Sequence, residues 1–201
     1  DPEKIGAVLL KNLIEGGYNG KIFPVNPKYE ELQGRKVYPT ILEIEDDVDL
    51  VCISLPRQFV EDIIDQCITK KVKSVLIISA GFKETGEEGK ILEERISQKL
   101  RDAGIRLIGP NCLGYINNRN KINISFAREN PGDGDIAFIS QSGAFCTAIL
   151  DMACEKGLGF SHVISLGNKA DINENEILPS LISDSTVKAI ALYLEEFTDG
   201  K

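Results

Sequence analysis

Residues 50–82 read LVCISLPRQFVEDIIDQCITKKVKSVLIISAGF. Two short runs, 50–55 and 74–79, are nearly continuous in Leu, Val and Ile, and the segment between them, 58–70, carries its apolar residues at helical spacing. Strands that are apolar on both faces belong in a parallel sheet covered on both sides, whereas half-exposed strands alternate apolar with polar residues. Strand, helix, strand in this order predicts an α/β fold with a parallel sheet.

The same pattern extends outward in both directions. Further strands are expected at 21–25, 106–108, 136–139, 162–166 and 189–194, and further helices at 2–15, 87–103, 143–156 and 174–182. The first helix has Asp1 as N-cap and Pro2 at its first helical position, and Ile5, Val8, Leu9 and Leu13 share a face that needs a sheet to cover. In a doubly wound domain the strand before the first helix normally carries the glycine-rich phosphate turn. None precedes Asp1, so the sheet is expected to lack its first strand in this chain. At 127–135 the sequence ARENPGDGD combines Pro, Gly and alternating charge, a loop signal that places a domain boundary there. The division expected is 1–131, a doubly wound domain, and 132–201. The second part, about 70 residues, lies near the lower limit of domain size and reads as the front half of something longer.

Charge and composition narrow the function class. The 201 residues include 23 Lys and Arg against 31 Asp and Glu, a net charge of −8, which repels a phosphate backbone and argues against nucleic acid as a partner. An anionic small ligand remains compatible, because helix N-termini bind phosphate whatever the net charge. No apolar run reaches bilayer length, so no membrane association is expected. Cys52, Cys67, Cys112, Cys146 and Cys154 are odd in number and contain no CxxC pair, which suggests neither a disulfide framework nor a zinc site. With no secretory signal at the start, a cytoplasmic location is expected.

In an open parallel sheet, ligands bind beyond the carboxyl ends of the strands. Four such loops mix a backbone-shaping Gly or Pro with a cation or amide: Asn26-Pro27-Lys28, Pro56-Arg57, Ala80-Gly81-Phe82-Lys83, and GPNCLG at 109–114. Any one of them could simply turn the chain, but four on one edge point to a nucleotide-bearing ligand. By spacing alone that ligand could be NAD or coenzyme A. A fifth loop, Ser140-Gln141-Ser142-Gly143, opens the helix at 143–156, where amides and hydroxyls suit an anion as well as an ordinary N-cap. The acidic cluster Glu43, Glu45, Asp46, Asp47 and Asp49 lacks EF-hand spacing and reads as a solvated turn, and no metal site is expected.

GPNCLG at 109–114, FPVNP at 23–27, ISAGF at 78–82 and FISQSGA at 138–144 together resemble the NDP-forming acyl-CoA synthetases, the acetate–CoA ligase (ADP-forming) group of the succinyl-CoA synthetase superfamily. The resemblance covers the whole chain. It implies a Rossmann-like CoA-binding domain followed by the front half of a flavodoxin-like succinyl-CoA ligase domain. It places Asn26, Pro27 and Lys28 near the nucleotide portion of CoA, has Pro56 and Gly81 shape the cleft, and puts Asn111 and Cys112 near the thiol end. Cys112 is expected to be an inert thiol, since no base or cation neighbours it in sequence.

By the same resemblance Ser140, Ser142 and Gly143 hold a phosphoryl group, Asn168 and Lys169 lie beside it, and Glu195 orients a catalytic histidine, with Glu196 adjacent. His162 is the single histidine in the sequence and starts a strand, so it is read as structural rather than phosphorylated. The implied partners are an ATP-grasp β subunit or fused domain that binds ATP or ADP with Mg, a small carboxylic acid or its acyl-CoA, and phosphate, in an oligomer. Residues 1–201 alone are expected to be inactive. Two rival readings are a non-catalytic CoA-sensing domain of a protein acetyltransferase and an NAD-binding oxidoreductase domain.

Overall fold

The structure is a computed structural model and describes residues 4–197. The expected helix start at Asp1 and Pro2 lies outside the described residues. The elements run α1 (Ile5–Glu15), β1 (Glu31–Leu32), β2 (Arg35–Lys36), β3 (Leu50–Ile53), α2 (Val60–Lys70), β4 (Ser74–Ile77), α3 (Glu87–Asp102), β5 (Arg106–Ile108), β6 (Gly114–Asn117), β7 (Ile122–Ser125), β8 (Ile136–Ser140), α4 (Gly143–Lys156), β9 (Phe160–Ser165), α5 (Glu174–Ser183) and β10 (Ala189–Tyr193). The α/β class and the parallel pairing follow the sequence pattern.

Two sheets organise the chain. The first is parallel, in the order β3-β4-β5, and both its faces are buried. Along β4 the side chains alternate: Val75 and Ile77 point toward α2 and α3, while Leu76 and Ile78 pack with Leu9 of α1 and Cys112. This is why the run reads as continuously apolar. Helix α2 covers the sheet with Val60, Ile64 and Cys67, one stripe at helical spacing, and α3 adds Ile96 and Leu100. Full burial of a side chain such as Ile64 contributes roughly 1.5–3 kcal/mol. The second sheet has the order β10-β8-β9-β6-β7, with β8 parallel to both β9 and β10 and with β6 antiparallel to both β9 and β7. Helix α4 packs Cys146, Leu150 and Ala153 on one face and α5 places Leu181 on the other.

Three departures from expectation have local causes. Residues 21–25 form no strand; Val25 makes a single bridge to Tyr38, and Pro24 and Pro27 on either side have no N–H to give to a ladder. The hairpin β6–β7 was not expected, and it pairs with β9 although it lies before the loop at 127–135. A two-residue ladder, β1–β2, closes a turn at Gln33-Gly34. In the acidic cluster, Asp46 pairs with Lys21 and Asp49 with Lys73. Among the described residues no group of three His, Cys, Asp or Glu could hold a metal ion, and no helix is long and apolar enough to cross a membrane.

Candidate functional site

The loops at the carboxyl ends of β4, β5, β8, β9 and β10 converge on one cleft of about 900 Å³. One wall comes from the loop after β4, with Ser79, Ala80, Lys83 and Glu84; the floor from Asn111, Cys112 and Leu113; the opposite wall from Gln141, Ser142 and Gly143 at the start of α4. Gly167 and Asn168 after β9, and Glu195 and Glu196 after β10, complete it.

The GPNCLG loop is folded by close backbone approach. Gly109 has φ +96°, and a Cβ there would lie 2.5 Å from the carbonyl oxygen of Ile77, so glycine is required. The Gly109–Pro110 peptide is cis, and Asn111 follows at φ +58°, a left-handed conformation that Asn tolerates. Asn111 N–H donates to Ser79 O at 2.9 Å, which ties this loop to the one after β4. Cys112 is buried and its Sγ donates to Ile77 O at 3.3 Å. Burial pushes the thiol well above the ordinary cysteine value, so it stays protonated near neutral pH and is not a nucleophile.

At the opposite wall, Ser142 Oγ accepts from Phe145 N–H at 3.3 Å and caps α4. The first N–H groups of a helix have no intrahelical acceptor, and Gly143 and Ala144 line the cleft, where the helix dipole favours an anion. A Cβ on Gly143 would meet nothing nearer than Leu113 N at 4.0 Å, so there is room for a ligand atom. Ser79 Oγ, in the wall across the cleft, is buried without a protein partner. An open helix start on a cleft also lined by Lys83, Asn111 and Asn168 fits a ligand that carries both an anion and polar groups.

The carboxylates are arranged around these walls. Gln141 Oε1 accepts from the N–H groups of Glu195 and Glu196 at 3.0 and 3.2 Å, fixing the turn after β10 to the start of α4. Glu196 pairs with Lys83 at 3.0 Å, and that bond holds its carboxyl below the usual value. Burial alone would push Glu84 up, yet bonds from Asn168 and from the N–H groups of Gly81 and Phe82 hold it below the usual carboxylate value. Glu93 behaves oppositely: its burial outweighs the bonds from Asn168 and Lys83 N–H and raises it.

The structure brings six of the expected site residues onto the cleft: Asn111, Cys112, Ser142, Gly143, Asn168 and Glu195. Pro27 and Lys28 line a separate shallow hollow of about 480 Å³ with Tyr29, Lys36 and Val37, and Asn26 Oδ1 accepts from Lys28 N–H at 2.9 Å. Pro56 starts a short helical turn whose Arg57 donates to Gly81 O at 3.0 Å. Ser140 is fully buried and donates to Ser142 O at 2.8 Å. Lys169 is also buried; its ammonium lies 3.1 Å from Glu174 Oε2 and donates to Glu196 O at 2.7 Å, behind the wall rather than into the cleft. His162 is buried in β9, with Nε2 3.0 Å from Asn117 Nδ2. Lys83 belongs to the loop at 80–83 that the sequence singled out, whereas sequence reasoning missed Ser79, Glu84 and Glu93. Glu93 had a signal: it falls on the stripe of Gly89, Ile96 and Leu100 that α3 buries.

Residues 1–118 match the CoA binding domain family, and residues 133–201 match the succinyl-CoA ligase like flavodoxin domain. The chain is 44% identical to the acetate–CoA ligase [ADP-forming] of Methanocaldococcus jannaschii over 98% of its own length and 28% of that protein. It is 43% identical to the acetate–CoA ligase [ADP-forming] I subunit alpha of Pyrococcus furiosus, covering 100% of this chain and 44% of the subunit. Among solved structures it is similar to the dinucleotide forming acetyl-coenzyme A synthetase 1 of Ca. Korarchaeum cryptofilum in complex with phosphate and ADP, with a TM-score of 0.96 and 38% identity over 100% of this chain and 43% of that one. The chain thus spans less than half the length of each of these relatives.

Proposed function

Because the chain belongs to the CoA binding domain family, we propose that it is the coenzyme A-binding part of an ADP-forming acyl-CoA ligase. The observation that carries this reading is the cleft that the open N-terminus of α4, with Ser142 and Gly143, shares with Asn111 and Cys112 of the GPNCLG loop and with the loop after β4. The coenzyme's thiol end lies over Asn111 and Cys112, and its nucleotide end reaches toward Asn26, Pro27 and Lys28. The first N–H groups of α4, with Ser142, hold phosphate or an acyl phosphate at Gly143. Ser140 and Lys169 support this wall from behind, the former by shaping the SQSG turn and the latter by anchoring the Glu196 backbone.

The reaction is reversible. Phosphate attacks the acyl carbon of acyl-CoA, the thioester C–S bond breaks, and the products are acyl phosphate and CoA. The helix start stabilises the developing charge. The phosphoryl group then passes to a histidine and on to ADP, held with Mg by an ATP-grasp subunit or domain, leaving the carboxylic acid. His162, locked in β9, is not that histidine; Glu195, on the cleft, orients it. Cys112 shapes the thiol end without reacting.

Calorimetric titration of the full-length protein with CoA is the direct test, and no binding at millimolar CoA sinks the reading. Residues 1–201 alone are expected to release no CoA from acetyl-CoA when phosphate is added. Release by this piece would refute that expectation and show that the first step needs nothing beyond these residues.

A further inference from the structure

The bonds of Asn168 reach two other loops and helix α3. One hydrogen of its amide goes to Glu84 Oε2 and the other to Glu93 Oε2, each at 2.7 Å. Its Oδ1 accepts from Asn111 Nδ2 at 3.3 Å, and its backbone N–H donates to Pro110 O at 2.8 Å. A primary amide has two hydrogens, so the donors of this side chain are spent. An incoming phosphate would have to displace a carboxylate from Asn168 and then sit beside that carboxylate's charge.

The two carboxylates carry the connection onward. Glu84 Oε1 accepts from the N–H groups of Gly81 and Phe82, and Glu93 Oε2 accepts from Lys83 N–H at 3.2 Å. The loop after β4 is therefore held by two side chains that both terminate on Asn168. The backbone beside Asn168 is equally close to the GPNC loop: a Cβ on Gly167 would lie 2.2 Å from Pro110 O. Asn168 and Glu93 are both buried.

We propose that Asn168 is a positioning residue rather than a phosphate ligand, a clasp that fixes the coenzyme-side loops at 79–84 and 109–111 against the anion-side loop at 167–169. It sets the separation across which the acyl group moves from the thioester to phosphate. This inference rests on the coenzyme reading above.

The test uses the full-length enzyme. Asn168→Asp sets a third carboxylate against Glu84 and Glu93 and opens the clasp. A displacement of an ångström in a transfer site costs about 100-fold in rate, so turnover is expected to fall by that order while CoA affinity in titration stays within about threefold of the parent. In the ligand-free protein, amide exchange at Gly81, Phe82 and Lys83 is expected to speed up. The double variant Asn168→Asp with Glu84→Gln restores an amide facing a carboxylate on the Glu84 side while Glu93 stays unpaired, and should recover part of both rate and protection.

A rise in the KM for phosphate with unchanged kcat would overturn the proposal in favour of a direct ligand. Unchanged exchange in the loop after β4, or a double variant that recovers neither readout, would overturn it as well. Should Asn168→Asp fail to fold, Asn168→Ser breaks the same bonds without adding charge and is read by the same measurements. If the parent enzyme binds no CoA, the coenzyme reading fails, while the exchange measurement still decides whether Asn168 holds the loop.

Discussion

Glu93 lies inside α3 with 6% of its surface exposed, and both bonds to its carboxyl converge on one oxygen. Its raised pKa means that the folded state binds this proton more tightly than the unfolded chain does. The stability it contributes is therefore full below the ordinary glutamate value of about 4.3 and is lost as pH rises through the raised one. Glu93→Gln keeps an acceptor oxygen for both bonds and removes the buried charge. Urea unfolding should find the variant close to the parent near pH 4 and more stable than it at pH 7; equal or lower stability at pH 7 would contradict the assigned cause. Glu84 has the opposite sign, with stability present above the ordinary value and lost as pH falls through its depressed one. At this scale the sequence was legible where a residue's chemistry depends on near neighbours. Cys112 reads as inert because no base or cation lies beside it, and its thiol is buried, which pushes its pKa up. Glu84 and Glu93 escaped notice because their partner, Asn168, is remote in sequence, and a Glu in a helix rich in Glu and Lys looks solvated.

The hairpin β6–β7 shows what is lost between residues and elements. Its strands read GYIN and INIS, short and broken by Gly, Asn and Ser around an Asn-containing turn, so they lack the continuous Val, Ile and Leu run that revealed β3, β4 and β8. The strands approach closely at the open end of the hairpin, where a Cβ on Gly114 would lie 2.1 Å from Ile124 O. Helix α1 lies against β7, and its Asn12 donates to the carbonyls of Ser125 and Ala127 at 2.8 and 3.0 Å. The apolar face of α1 was legible, as was the β4 strand that its Leu9 helps to cover, but β7 was not, because the pattern did not announce that strand. Asn12→Ala removes both donors and leaves two part-buried carbonyls to find other partners, at a cost of about 1–3 kcal/mol. Asn12→Asp should cost more, since a carboxylate facing carbonyls adds repulsion. Denaturant midpoints with unchanged m-values would establish this; a shift within error for both variants would show that the two bonds carry no weight.

For the whole molecule, the parallel α/β class was legible because strands buried on both faces leave continuous runs, and the binding edge followed from where such sheets place their loops. How the two halves hold each other was not. The loop at 127–135 looks like a linker, and Arg128, Glu129 and Asn130 are exposed. Yet the chain before it contributes β6 to the second sheet, with Tyr115, Ile116 and Asn117 registered against Ile164, Val163 and His162. The chain after it returns to the first sheet: Asn168, Ala170 and Ile172 donate their N–H groups to Pro110, Gly109 and Leu107. Asp171 pairs with Arg106 at 2.9 Å and accepts from Leu107 N–H at the same distance. Crossing bonds of this kind make the halves one cooperative unit, whereas domains joined by a linker separate when it is cut. A specific protease site inserted after Glu129 should therefore give a nicked protein whose two pieces elute together in gel filtration and part only in denaturant, in one transition. Pieces that separate under native conditions would show that the strand pairing and the docked loop are too weak to hold the cleft together, and that the halves move as independent domains.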